Sequence, residues 1–153
     1  MTSLNVIDNG YWYSNLIIPK TLSKKIRIRS KVQFSEEPFL TNNTDFFQHD
    51  EIKAIVGEGA KQHSIELDKT RDEAYRILTY TLIAKTLHNQ DFSKINLVIN
   101  YPLNIFNKET KNNFEEFLKT PDFINIFLNK EQKTFHIQNC LVFPQTIPSL
   151  FLS

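Results

Sequence analysis

Glycine is scarce: the 153 residues include only Gly10, Gly57 and Gly59. A chain with so little glycine has few places where its backbone can approach a ligand closely, so these three positions are the first to consider. Cysteine is scarcer still. With Cys140 alone, neither an internal disulfide nor a cysteine-built zinc site can form, which fits a reducing compartment. Cys140 sits in the apolar run Cys140-Leu141-Val142-Phe143, the setting of a buried, inert thiol. No charge sign dominates either. Lys and Arg number 18 against 17 Asp and Glu, a formal net charge of +1, so no global field steers nucleic acid, an anionic membrane or an acidic substrate to the chain. No apolar run reaches the roughly 18 residues that span a bilayer. The N-terminus, Met1-Thr2-Ser3-Leu4-Asn5, lacks the basic and apolar regions of a secretory signal. These absences predict a cytoplasmic protein with no direct membrane binding.

What is present is ordinary for a globular domain: 41% hydrophobic and 23% charged residues, with 13 Phe. The length predicts one domain over residues 1–153. Leu4-Asn5-Val6-Ile7 reads as a strand stopped by Asp8-Asn9-Gly10, and Tyr11 to Ile18 as the returning strand of a hairpin. Lys24 to Phe34 alternates, with Ile26, Ile28 and Val32 between cationic neighbours, and predicts one further strand. Residues 35–50 are polar and read as a loop or small excursion. Glu51 to Val56 predicts a strand ended by Gly57-Glu58-Gly59. Thr70 and Glu73 form a capping-box pattern opening a helix to about His88. Its apolar residues surround much of the axis, which predicts burial on most sides. Ile95 to Ile99 reads as a buried, parallel strand. Asn107 caps a second helix ending before Pro121, and Phe123–Leu128 with Thr134–Phe143 read as a hairpin. This order predicts an α/β fold with a mixed sheet of about five or more strands and helices on its faces.

Three places could carry chemistry. The turn Asp8-Asn9-Gly10-Tyr11-Trp12-Tyr13-Ser14 could point backbone N–H groups at phosphate oxygens, with Asp8 holding a hydrated divalent cation; a plain Asn-Gly β-turn explains the same residues. Gln145, between Pro144 and Pro148, could orient a water for attack on a phosphate, or be simply solvated. Val56-Gly57-Glu58-Gly59-Ala60-Lys61 lacks P-loop spacing and reads as a turn. His49, His63, His88 and His136 show no one-turn helical pair, so no zinc is expected. No Gly-x-Ser-x-Gly is present; Cys140 and His136 stand four apart, on one face of a regular strand. The basic run Lys24, Lys25, Arg27, Arg29 and Lys31 gives way to Glu36 and Glu37, so an ordinary solvated face is expected and nucleic acid is not.

In order, Val6-Ile7-Asp8-Asn9-Gly10, Val56-Gly57-Glu58-Gly59-Ala60, the helix from about Thr70, Asn100-Tyr101-Pro102-Leu103 and Val142-Phe143-Pro144-Gln145 resemble the N-terminal half of prokaryotic actin-like ATPases of the ParM/StbA type, filament-forming plasmid-segregation motors. The resemblance implies an actin-like, ribonuclease H-like fold whose second domain is absent from these 153 residues. It implies a nucleotide-binding set of Asp8, Asn9, Gly10, Tyr11, Trp12 and Ser14, with Gly10 to Trp12 along the β- and γ-phosphates of ATP. Asp8 would hold Mg2+ through water, and Gln145 would be the catalytic residue that positions the attacking water. The departures are Trp12, where the family has a small residue, Ser14-Asn15 in place of Thr-Lys, and Asn100 in place of Gly. With a nucleotide normally clamped between two domains, weak ATP binding and at most residual Mg-dependent ATPase activity are expected. The implied partners are actin-like filament subunits or further copies of the chain. One reading is a binding, regulatory or truncated module; the alternative is part of a genuine ATP-hydrolysing motor completed by another chain.

Overall fold

The computed structural model describes residues 2–19, 25–38, 41–61, 71–87 and 92–145. They form one nine-stranded mixed sheet in the order β3-β2-β1-β7-β9-β8-β5-β6-β4, with two α-helices packed together on one side. β1 (Thr2–Asn9) and β2 (Tyr13–Ile17) make the expected hairpin, and β3 (Lys25–Arg29) extends it. β7 (Phe92–Tyr101) runs parallel to both β1 and β9 (Glu131–Pro144), as its apolar run predicts. β8 (Ile124–Leu128) joins β9 through Asn129 and Lys130, both at positive φ. That is a two-residue turn whose twist suits a hairpin.

Two expectations about the strands need correcting. The single strand over Lys24–Phe34 is two: β3 ends at Arg29 and β4 (Val32–Phe34) begins after Ser30 and Lys31. These two strands stand at opposite ends of the strand order, so the sheet curls until its ends meet. The excursion over 35–50 is also overturned in its second half, because Thr44–His49 forms β5, paired with β6 (Ile52–Gly57) and β8. Its polar residues hid it. Thr44, Asp45 and His49 are buried along with Phe46 and Phe47, so the strand has no alternation. Its buried carboxylate finds partners: Asp45 accepts from Lys85 and Asn129 at 2.9 Å each.

The curl explains helix α1 (Arg71–Thr86). It packs against β1, β2, β3, β4, β6 and β8, so Ala74, Tyr75 and the run Ile77–Ala84 are all buried. An apolar girdle suits a helix enclosed by sheet on most sides. The proposed cap Thr70 lies outside the described residues; Glu73 pairs with Arg76 at 2.7 Å. Helix α2 (Lys108–Lys119) has the expected Asn107 cap, closed reciprocally by Thr110, and lies beside α1. Phe114 touches Tyr75 and Tyr101, and the Tyr80 hydroxyl donates to the Leu118 carbonyl at 2.6 Å. Among the described residues no helix is long and apolar enough to cross a membrane.

A register shift in the β7–β9 pairing, at Ile95/Asn96, leaves Gln138 as the extra residue in β9. Side-chain parity therefore flips along β9: Phe135 and Ile137 face the core before it, Val142 after it, and Leu141 faces out. The flip also separates His136 from Cys140, against the shared face that their spacing predicts. The His136 ring bonds the Asp122 carbonyl, while burial pushes the Cys140 thiol up to about 12, so this thiol is inert at neutral pH.

His49 makes a testable point about this core. Its ring is 4% exposed, meets Tyr80 edge-on at 5.7 Å, and its Nδ1 has no partner among the described residues. Burial holds its pKa below the ordinary histidine value, against the pull of exposed Asp50. The unfolded chain therefore binds the proton more readily. Stability contributed by the neutral ring is complete above about pH 6.5 and falls as the pH drops through that value. Urea midpoints at pH 7 and pH 5 should differ more for the parent chain than for His49→Phe; equal differences would refute the buried neutral ring.

Candidate functional site

The three parallel strands β1, β7 and β9 end at one edge of the sheet, since Ile7 pairs with Ile99, Asn100 with Phe143 and Tyr101 with Pro144. Such an edge, outside the carboxyl ends of parallel strands, is where α/β folds place ligands. It collects Asp8 and Asn9 from β1, Asn100 and Tyr101 from β7, and Gln145 beyond β9. Asn100 is the hub. Its side-chain amide donates to Asp8 Oδ1 at 2.7 Å and to the Asn9 carbonyl at 3.3 Å, and its Oδ1 accepts the Asn9 backbone N–H at 2.8 Å. The Gln145 backbone N–H donates to the Tyr101 carbonyl at 2.8 Å. The Tyr101 hydroxyl donates to Asp72 at 2.7 Å and ties the first turn of α1 to the same edge.

Burial holds the Asp8 carboxyl above its ordinary value. An ionised carboxylate half removed from water is costly, and a hydrated cation beside it would offset that cost. Among the described residues no three His, Cys, Asp or Glu side chains converge, so a cation at Asp8 would draw its remaining ligands from water and substrate oxygens, which suits magnesium. The Asn9 side chain lies on the core side, buried, with neither amide atom partnered among the described residues.

The hairpin tip is a less open cradle than its sequence suggests. The Gly10 N–H is already given to the Tyr13 carbonyl at 2.9 Å. A Cβ at Gly10 would lie 2.8 Å from that oxygen, which explains glycine there. Tyr11, Trp12 and Tyr13 are exposed, and Trp12 and Tyr13 stack against Arg29, at 5.6 and 5.3 Å. Ser14 is turned into the core, its hydroxyl 2.7 Å from that of Ser30. The structure thus brings Asp8, Gly10 and Gln145 to one edge and takes Ser14 away from it. Gly57, at φ +106°, lies against Asn43, and Gly59 donates to Thr44 at 2.7 Å, so that segment is the packed turn its spacing predicts. Sequence reasoning missed Asn100 as a site residue. Its signal was a polar side chain closing the run Ile95-Asn96-Leu97-Val98-Ile99, just before Tyr101-Pro102.

The family of the actin-like protein N-terminal domain matches residues 6–147. No curated protein matches the sequence. Among solved structures, the Alp12 filament superposes with a TM-score of 0.71 at 20% identity over 99% of this chain and 49% of that one. The apo pSK41 ParM protein gives 0.70 at 14% identity, with 94% and 50% covered. The AlfA filament from the B. subtilis plasmid pLS32 gives 0.69 at 16%, with 99% and 59% covered. The chain spans about half the length of the solved structures it matches.

Proposed function

Since the chain belongs to the family of actin-like protein N-terminal domains, we propose that this actin-like lobe, taken in isolation, docks on actin-like filament subunits and grips nucleotide weakly. The observation that carries this reading is the edge where Asp8, Asn9, Asn100 and Gln145 converge, beside a tip whose Gly10 N–H is already given to the Tyr13 carbonyl. The convergence supports a nucleotide corner of the family's kind. In it Asp8 would hold Mg2+ through water, the Gly10–Trp12 tip would face the phosphates, and Gln145 would position water. The used Gly10 N–H argues for loose occupancy, because a tip that cradles phosphate needs backbone N–H groups left for the ligand.

The nucleotide part is tested by titrating the 153-residue chain with Mg-ATP and following both affinity and phosphate release. Weak binding with negligible turnover is the expected result; micromolar affinity with steady turnover would sink it. The docking part is tested by co-sedimentation with preformed ParM-type filaments. The chain should pellet with filaments and stay in solution without them, and an unchanged supernatant would refute docking. The alternative, one part of an ATP-hydrolysing plasmid-partition motor completed by another chain, draws on the same intact edge. It requires that adding the completing domain restore turnover, and that Gln145→Ala then abolish it.

A further inference from the structure

Where the two ends of the curled sheet meet, a cleft of about 320 Å³ opens between β3 and the β5–β6 end. Tyr13, Arg27 and Arg29 line one side, Asn43, Asp45 and Glu58 the other, and Lys85 from the last turn of α1 closes it. We propose that this cleft binds a phosphate dianion, either free or as a small phosphomonoester, between the guanidinium groups of Arg27 and Arg29.

Both arginines keep hydrogen-bonding capacity for a ligand. A guanidinium carries five N–H donors in a planar fork that matches phosphate oxygens. Arg27 lies over the Tyr13 ring at 4.8 Å and, among the described residues, donates through its Nε alone, to Asn15 Oδ1 at 2.8 Å. Arg29 lies 5.3 Å from the same ring centre. Its Nε is buried without a partner among the described residues, and its one ion pair, to Glu58, is long at 3.5 Å. Both cations thus lie against one ring, and Arg29 keeps a buried donor without a partner among the described residues. Like charges gathered this way repel, and an anion between them relieves the repulsion.

The acids in the cleft do not fill that role. Both Asp45 oxygens are taken, one by Lys85 and one by Asn129, at 2.9 Å each. Glu58 is about half exposed and reaches Arg29 through a single oxygen, so it can swing into water when a better acceptor arrives. Charge in the cleft is three cations against two carboxylates, and the excess sits on β3. The volume admits phosphate with a small organic body. The cleft is separate from Asp8 and Gln145 at the strand ends and meets the hairpin tip where Trp12 stacks on Arg29.

The test is a 1H–15N NMR titration of the whole chain with inorganic phosphate, then glycerol 3-phosphate, at constant ionic strength. Saturable shifts are expected at Tyr13, Arg27, Arg29 and Asn43, distinct from the Asp8 and Gln145 signals that Mg-ATP would move. Arg27→Gln, at an exposed position, should weaken binding about tenfold, the loss of one charge-assisted pair. Glu58→Gln should tighten it severalfold by removing the competing anion. A stronger response to glycerol 3-phosphate than to phosphate assigns the ligand as a phosphomonoester; the reverse assigns free phosphate. Shifts that never saturate, persist unchanged in Arg27→Gln, or weaken in Glu58→Gln would overturn the site. So would salt-steep binding of a single-stranded oligonucleotide with no response to either phosphate.

Discussion

Phe135→Ala is expected to destabilise the fold by about 3–5 kcal/mol, the usual cost of deleting a buried phenyl ring. The ring is fully buried and meets Tyr80 edge-on at 5.4 Å, with Tyr80 in turn anchored to α2 through Leu118. Its loss leaves a cavity where β9 meets α1, and neither α1, enclosed by sheet, nor β9, paired on both sides, can collapse into it. A domain of this size is stable by about 5–15 kcal/mol, so the urea midpoint should fall by about a fifth or more. Leu141→Ala on the same strand is the control. Leu141 lies past the register shift and is 54% exposed, so its removal should shift the midpoint by no more than about 0.5 kcal/mol. Equal losses for the two variants would mean that β9 does not flip parity at Gln138.

Asn100→Ala is expected to cost about 2–3 kcal/mol, because it strips the Asn9 N–H and Asp8 Oδ1 of their partner at a half-buried edge. Asn100→Asp sharpens the test through its pH dependence. A second carboxylate at that position faces Asp8, whose carboxyl burial already holds above its ordinary value. A carboxyl raised in the folded state stabilises the fold while protonated and loses that contribution as the pH rises through its folded value. Asn100→Asp should therefore be tolerated near pH 4 and strongly destabilising at pH 7, where two facing carboxylates cannot both ionise cheaply. Urea midpoints at the two pH values decide it; a deficit independent of pH would show that Asp8 and residue 100 do not face one another. Asp8→Asn should raise the midpoint at pH 7, since it keeps the bond from Asn100 and removes the charge. A carboxylate retained at a cost in stability is the mark of a group placed for binding rather than for folding.

Several features of this protein were readable from its residues alone. The Asp8-Asn9-Gly10 turn, the α2 cap at Asn107 and the parallel strand through Ile95–Ile99 follow from local rules: turn residues, capping chemistry and the length of an apolar run. The order of short motifs along the chain was enough to suggest the actin-like family. These signals lie within a few residues of one another, so sequence proximity alone exposes them.

The tertiary structure decided the rest, because the deciding partners are far apart in the chain. Asn100 reads as a stray polar residue until β7 pairs with β1 and sets it against Asp8 and Asn9, 91 residues from the latter. β5 has no alternation because the curled sheet buries both of its faces, and the break at Ser30 matters only because β4 crosses to the far end of the sheet. The facing of Arg27 and Arg29 with Lys85 across the seam arises in the same way. Periodicity reports which side of a strand is dry; which strands become neighbours, and in what register, is settled by packing around α1, and packing is a property of the whole chain.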